Sequence, residues 1–213
     1  EPWQIKKLHE YKGFILDSGA FTFMNNTKNE TNFDEYVEKY IQFIKKNNIE
    51  MFLELDIDVV VGYERVKEYR KYIEKETGRQ CIPVWHKSRG INEYLEMVKN
   101  YKYVAIGGIV TKEITREQWR YFPYLIREAK KQKAKVHGLG FTATNELHKY
   151  HFDSIDSTSW LSASRFGTVQ TFSNGIIKTV KTPEGKKVKH YKILDDYVVG
   201  EWIKFQEYAD VYL

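Results

Sequence analysis

Short apolar runs alternate along this chain with longer segments in which apolar residues recur at helical spacing. The apolar runs predict six β-strands, at residues 13–19, 51–60, 81–86, 103–109, 134–141 and 151–159. The intervening segments predict amphipathic helices, the clearest of which carries on one face Phe33, Tyr36, Val37, Tyr40, Ile41 and Ile44. Strands and helices that alternate in this way are typical of a parallel sheet with right-handed crossovers.

Two helices have a start signal in the sequence. Asn32 with Glu35, and Thr115 with Gln118, each have the spacing of a capping box. We expect the second of these helices to run on with a buried face formed by Trp119, Phe122, Leu125 and Ile126.

The pattern changes after residue 165. The stretch "TVQTFSNGIIKTV" predicts an antiparallel hairpin that turns at Asn174-Gly175, a pair that favours tight turns between twisted strands. We expect this hairpin excursion at about 168–192 and a final amphipathic helix at about 195–210. The chain 1–213 is then one α/β domain: a TIM-type (β/α) barrel of which six strands are recognisable, two short of eight, or an open doubly wound sheet.

Composition narrows the class of protein. Hydrophobic residues make up 42% of the chain, and 34 Lys and Arg against 29 Asp and Glu leave a modest basic excess compatible with a polyanionic partner. One cysteine, Cys81, excludes an internal disulfide and a multi-cysteine zinc site. Without an apolar stretch of membrane-spanning length or a signal peptide, we expect a cytoplasmic enzyme or binding protein that uses no membrane.

Polar residues and glycines stand where each predicted strand ends. They are Asp17, then Asp56 with Asp58, His86, Gly107-Gly108, Gly138 with Gly140, and Asp156. The carboxyl ends of parallel strands meet at one edge, which is where barrels build their active sites. Asp17 and Asp156 therefore suggest chemistry at an anomeric carbon, with one carboxylate as nucleophile and the other moving protons. The serines and threonines around Asp156 would keep it ionised by hydrogen bonding.

These same residues resemble motifs of the tRNA-guanine transglycosylase superfamily, whose members exchange guanine for a 7-deazaguanine. "LDSGAF" resembles the motif with the proton-transferring Asp and the base-stacking aromatic, which implies those roles for Asp17 and Phe21. "MFLELD" is similar to the strand whose last Asp binds the base, here Asp56. "AIGGI" resembles the segment whose backbone meets the base carbonyl, here Gly107-Gly108.

Two further strands carry departures from the family pattern. His86 in "PVWH" stands where the family has a base-contacting Gln, and His137 in "HGLGFT" replaces a Met under the base, next to Gly138. "IDSTSWLSASRFGTVQTFSNG" is similar to the nucleophile segment, which implies Asp156 as nucleophile and Arg165 in register with its second Arg. Asp153 is then a structural neighbour.

The resemblance covers residues 13 to 180, on all six strands in order. It implies that these are the third to eighth strands of a barrel whose two N-terminal strands are missing or lie outside this chain. It implies a glycosyltransferase that needs no cofactor and no metal, and whose partners are nucleic acid, a free 7-deazaguanine and proteins of a modification system. Ser162 replaces the family's first Arg and the family's zinc site is absent, which favours the DNA-modifying branch of phages and bacterial modification clusters over tRNA. Lys87, Arg89 and Arg165 are candidate phosphate contacts, although Lys87 and Arg89 also fit an ordinary solvated surface.

Two other functions fit the residues. One is a metal-dependent barrel hydrolase that uses His86, His137 and Asp156, although the usual H-x-H pair on an early strand is lacking. The other is an inactive nucleic-acid-binding module that keeps the fold, against which the presence of both Asp17 and Asp156 argues.

Overall fold

The computed structural model describes residues 13–19, 32–161, 167–181 and 191–212. Its central sheet consists of four parallel strands in chain order, which are β1 (Val84–Trp85), β2 (Tyr103–Ile106), β3 (Lys135–Gly138) and β4 (Ser154–Ile155). The chain before β1 extends this arrangement, because Leu16 forms a parallel bridge with Phe52, and Leu53 forms one with Ile82. Six parallel segments therefore follow one another in the order of the sequence.

Helices connect these segments. The described α-helices are α1 (Phe33–Lys46), α2 (Asp58–Val61), α3 (Tyr63–Thr77), α4 (Gly90–Asn100), α5 (Phe122–Lys131), α6 (Leu147–Tyr150) and α7 (Tyr191–Tyr212). Short 3-10 turns occupy Lys87–Arg89, Arg116–Tyr121, Thr144–Glu146 and Ser159–Leu161. None of the helices in the described ranges is both long and apolar enough to cross a membrane.

Both predicted N-terminal caps are present, but only the first is followed by the helix that was expected. Asn32 caps α1 as expected, because its side chain accepts a hydrogen bond from the Glu35 backbone at 3.2 Å. Thr115 and Gln118 also form their box, but the continuous helix expected after it is wrong. The chain makes a 3-10 turn and α5 begins only at Phe122, with Pro123 in its first turn. A single helix from residue 116 would place Pro123 in its interior, where the ring clashes with a carbonyl one turn earlier.

The strand expected over 51–60 is too long. The parallel bridges of this segment are at Phe52 and Leu53, and Asp58–Val61 forms α2. Val59 and Val60 are 71% and 50% exposed, so their apolar character reflects neither a strand nor a core position.

The C-terminal part contains the expected hairpin and helix. Strands β5 (Thr168–Ser173) and β6 (Ile176–Lys181) pair antiparallel, with Asn174 and Gly175 both at positive φ in the turn. The described hairpin strands reach Lys181, and residues 182–190 of the expected excursion lie outside the described residues. Helix α7 begins at Tyr191 rather than about 195, since neither proline nor glycine interrupts residues 191–199.

The sheet has two different apolar faces. One face packs on the helices, in clusters that combine strand residues such as Val104 and Val136 with helical residues such as Tyr94 and Phe122. A smaller cluster draws its members only from the parallel segments and the residue just after β3, namely Leu53, Ile82, Val84 and Ala105 with Ile15, Tyr103 and Leu139. The helices therefore cover one face of the sheet, and strand side chains fill the other.

A buried carboxylate joins the second parallel segment to its neighbours. Glu54 is fully buried and accepts a hydrogen bond from the Val84 backbone at 2.9 Å. The same carboxylate pairs with Arg70 of α3 and with Arg89 after β1, each at 2.9 Å. The Arg89 guanidinium also lies 4.2 Å from the centre of the Tyr63 ring. One side chain thus joins two parallel segments, a helix and the loop that follows β1.

We predict that Glu54→Gln destabilises the protein by about 3–5 kcal/mol, because it removes the carboxylate that pairs with buried Arg70 and one of the three carboxylates that pair with buried Arg89. Glu50→Gln, a matched change at an exposed position four residues earlier, should alter stability by less than about 0.5 kcal/mol. Urea unfolding of both variants measures the difference. Equal stabilities would show that the pairing of Glu54 contributes nothing to the fold.

Candidate active site

The polar strand ends lie along one edge of the parallel sheet. Asp17 follows the first parallel segment, is exposed, and accepts a hydrogen bond from the Gly19 backbone at 3.1 Å. Asp56, His86, Gly107 and Asp156 follow the next segments at the same carboxyl edge. The expected gathering of these residues at one edge is therefore present in the described part of the chain.

In a cluster of three side chains, His86 lies between the carboxylates of Asp56 and Glu113 and contacts both. The Nε2 atom of His86 lies 2.9 Å from both carboxylate oxygens of Asp56, and its Nδ1 atom lies 2.8 Å from Oε2 of Glu113. Glu113 is held in turn by the Ser88 backbone, which donates to Oε1 at 2.7 Å. Ionised carboxylates only accept hydrogen bonds, so both ring nitrogens of His86 must donate.

The cluster keeps His86 protonated at neutral pH. Burial acts to lower its pKa, but the hydrogen bonds and charges of Asp56 and Glu113 outweigh burial and raise the pKa from 6.5 to about 9. The same contact with His86, together with the Ser88 backbone, lowers the pKa of Glu113 although burial opposes it. An imidazolium between two carboxylates is thus a permanent part of the site under ordinary conditions.

Arg89 lies in the interior and not on a nucleic-acid-binding rim. Its side chain is 2% exposed and pairs with Glu54, with Asp56 at 3.4 Å and with Asp58 at 3.1 Å. The carboxylates around it draw the guanidinium inward, so it is not exposed to a phosphate. Its contact with Asp56 instead helps to orient a carboxylate at the strand ends.

Three side chains near Arg89 have the spacing of metal ligands. Ligand atoms of Asp56, Asp58 and His86 all lie within 4.8 Å of one another. The guanidinium of Arg89 already bonds both of these carboxylates, and Nε2 of His86 is bonded to Asp56. A divalent cation would have to displace these contacts. In the described ranges, His86, His137 and Asp156 do not come together as a metal-binding group.

Two adjacent glycines make room for this cluster. A Cβ atom at Gly107 would lie 2.7 Å from Nε2 of His86, and one at Gly108 would lie 2.9 Å from Oε2 of Glu113. Gly108 also has φ of +76°, a conformation that favours glycine. Any side chain at Gly107 would push the His86 ring away from the strand and break its alignment with Asp56.

Asp156 has two hydrogen-bond donors on one oxygen. Gly140 donates from its backbone to Oδ1 at 2.6 Å, and Nε2 of His137 lies 3.2 Å from the same atom. Burial alone would raise the pKa of Asp156, but these hydrogen bonds lower it below its usual range. The side chain is 49% exposed, and the described residues provide no partner for Oδ2. The carboxylate is therefore ionised, oriented and accessible through one oxygen.

Asp153 has a different environment from Asp156. Its Oδ2 accepts a hydrogen bond from the Val136 backbone at 2.8 Å, and its own backbone donates to the Val136 carbonyl. Both contacts fasten the start of β4 to β3. This agrees with the expectation that Asp153 is a structural acid.

The remaining predicted residues are only partly described. Phe21, Ser162 and Arg165 lie outside the described residues. Gly138 is buried, and a Cβ there would lie 3.2–3.3 Å from Phe141, Ile155 and Phe152, so close packing accounts for this glycine. Lys87 is exposed, and its Nζ atom lies 3.3 Å from Gln118 and 3.5 Å from the Glu113 carbonyl.

Three residues of the site were not expected from the sequence. Glu113 binds His86, and Ser154 and Tyr103 lie behind His137. Gly140, which the sequence already placed at a strand end, donates to Asp156. The three unexpected contacts join residues of different segments, so they depend on the tertiary fold and have no local signal.

Comparisons with protein-family models and with curated protein sequences give no match to this chain.

The pKa of His86 predicts a loss of stability in alkaline solution. A folded pKa of about 9 lies above the ordinary value of 6.5, so the stabilisation is complete below about pH 6.5 and is lost as pH rises through 9. The difference corresponds to a contribution on the order of 3 kcal/mol. His86→Gln should abolish this part of the pH dependence, which urea unfolding between pH 6 and 10 measures. Identical pH profiles for parent and variant would contradict the assignment.

Proposed function

We propose that this protein is a base-exchanging transglycosylase, a pentosyltransferase that replaces guanine in nucleic acid, DNA in preference to tRNA, by a 7-deazaguanine. The observation that carries the proposal is the state of Asp156. A nucleophilic carboxylate must be ionised, must be held in one orientation and must leave one oxygen for the sugar. Asp156 meets these needs, whereas Asp153 is engaged with the Val136 backbone.

A TIM-type barrel is the fold we propose around this site. The six parallel segments are neighbours in chain order, whereas the strand order of a doubly wound sheet reverses at a switch point. The cluster made of strand residues on the face away from the helices supports the same choice, since side chains of the strands fill a barrel's interior. Two further strands would be needed to close such a barrel.

In the first step, Oδ2 of Asp156 attacks C1′ of a guanosine nucleotide. A bond forms between Oδ2 and C1′, and the bond from C1′ to N9 of guanine breaks. The electron pair of that bond goes to guanine, which takes up a proton from Asp17 or from water. The product is a glycosyl ester of Asp156 and free guanine, and the nucleic-acid backbone stays intact.

In the second step, a 7-deazaguanine replaces the departed base. Its N9 proton goes to Asp17, its N9 forms the new bond to C1′, and the bond from C1′ to Oδ2 breaks. The electron pair returns to Asp156 as a carboxylate. Asp17 is exposed and, like Asp156, follows a parallel segment at the carboxyl edge of the sheet; closure of the proposed barrel would bring these first and sixth segments to one mouth.

Asp56 would hold the polar edge of the base. It is 18% exposed at the carboxyl edge, and contacts with His86 and Arg89 hold it in place. The N1–H and amino groups of guanine are donors that match such a carboxylate. The backbone at Gly107-Gly108, with Phe21 and His137, is the proposed remainder of the base pocket.

The preference for DNA rests on the sequence around Asp156. Ser162 stands where the family has an Arg, and a serine cannot reproduce the bidentate phosphate contacts of a guanidinium. Lys87 is exposed near this edge and is the described candidate for a phosphate contact, beside Arg165. The target base must leave its stack to reach the site, which costs least in single-stranded DNA.

A metal-dependent hydrolase is less well supported. Its three ligands do not gather in the described ranges, and the group that does have ligand spacing already contains the guanidinium of Arg89. An inactive binding module would not need an accessible ionised carboxylate, and an exchange assay separates it from a transglycosylase.

We predict that the protein incorporates labelled guanine into DNA. The experiment offers labelled guanine with double-stranded DNA, single-stranded DNA or tRNA, and counts label retained in the intact polymer. We expect the most label in single-stranded DNA, the least in tRNA, and a steep decrease with added salt because binding depends on phosphates. Label in tRNA alone would contradict the DNA preference, and no label in any polymer would contradict the transglycosylase.

A further inference from the structure

A chain of hydrogen bonds leads from the interior of the sheet to Asp156. The Tyr103 hydroxyl lies 2.5 Å from Oγ of Ser154, and that Oγ lies 2.6 Å from Nδ1 of His137. The other ring nitrogen of His137 lies 3.2 Å from Oδ1 of Asp156. Tyr103 lies on β2, His137 on β3 and Ser154 on β4. His137 and Ser154 are register partners in the β3–β4 pairing, and this pairing creates the central contact.

The three contacts that link Tyr103, Ser154, His137 and Asp156 need three hydrogens, and these side chains supply three. Tyr103 and Ser154 each have one hydroxyl hydrogen, and a neutral His137 has one ring hydrogen. If Nε2 of His137 donates to Asp156, then Nδ1 must accept from Ser154, and Ser154 must accept from Tyr103. Burial raises the pKa of Tyr103, which keeps its phenol protonated as the donor at the far end. In this arrangement no hydrogen lacks an acceptor.

We propose that Tyr103, Ser154 and His137 form a relay that fixes His137 as the neutral Nε2–H tautomer and makes it a positioning residue for Asp156. The His137 side chain is 5% exposed, so neighbouring strands and not solvent set its orientation. Together with the Gly140 backbone it holds Oδ1, while Oδ2 has no partner among the described residues. The catalytic part of this inference rests on the proposed function, whereas the tautomer does not.

The relay should affect the formation and the breakdown of the glycosyl ester differently. Donors to Oδ1 stabilise the carboxylate, which makes it a better leaving group and a weaker nucleophile. During breakdown of the glycosyl ester the bond from C1′ to Oδ2 breaks, and its electron pair spreads over both oxygens of Asp156. His137 and Gly140 stabilise that developing charge, and His137 keeps its hydrogen throughout. Loss of the relay should therefore slow the second step more than the first.

The first measurement is the tautomer of His137 in the parent protein. Nitrogen NMR of histidine-labelled protein at neutral pH distinguishes Nε2–H, Nδ1–H and the imidazolium, and His137→Met identifies the signal. We expect Nε2–H in the parent, a mixture of tautomers in Ser154→Ala, and recovery of Nε2–H in Ser154→Thr, which restores a hydroxyl. An Nδ1–H or imidazolium ring in the parent would overturn the relay.

The second measurement follows the covalent adduct during exchange. In His137→Met the breakdown of the adduct should slow by about tenfold or more, so the fraction of protein held as adduct should rise. Tyr103→Phe should act in the same direction and more weakly. Tyr94→Phe removes a buried hydroxyl that donates to the Leu125 carbonyl outside the relay, and it should match the parent.

The two measurements separate the relay from the proposed function. A parent protein that forms no adduct would contradict the transglycosylase, while the NMR result still decides the tautomer. A parent that forms adduct with His137 as Nδ1–H would contradict the relay and leave the transglycosylase standing. Slower adduct formation with unchanged breakdown in His137→Met would overturn the proposed effect on the leaving group.

Discussion

The buried carboxylate of Glu54 is the constraint on which the strand-end architecture depends. It pairs with Arg70 and Arg89 and accepts a hydrogen bond from the Val84 backbone N–H. It therefore joins two parallel segments to a helix and a loop. A charge without solvent is stable only when its partners are complete, which ties the positions of these elements together. Arg89, once drawn inward, brings a positive charge to Asp56 and Asp58.

The charges of the site are therefore set before any ligand binds. His86 lies between Asp56 and Glu113 as an imidazolium, while the Gly140 backbone amide and His137 hold Asp156. Two kinds of carboxylate result. Asp56 is fixed by cations, which suits its proposed contact with a base edge. Asp156 is fixed through one oxygen, and the other is the proposed nucleophile. Because these polar groups are already oriented, they would not have to reorient during the proposed reaction.

The sequence predicted the elements and the strand-end residues better than their contacts. Local signals were sufficient for the Asn174-Gly175 turn and the Asn32 cap, because each depends on residues close in sequence. The pairing of His137 with Ser154 depends on strand register, and a shift of one residue would turn either side chain to the other face. Arg89 resembled a surface cation because the carboxylates that bury it come from other segments. Pro123 was the visible signal for the interrupted helix.

Locating the covalent bond tests the central claim most directly. The protein is incubated with a guanine-containing oligonucleotide, quenched in acid and digested, and the modified peptide is fragmented by mass spectrometry. The account predicts a glycosyl adduct on Asp156 that is lost in Asp156→Asn and retained in Asp153→Asn, since a nucleophile contributes many orders of magnitude in rate. An adduct on Asp153, or one that persists in Asp156→Asn, would contradict it.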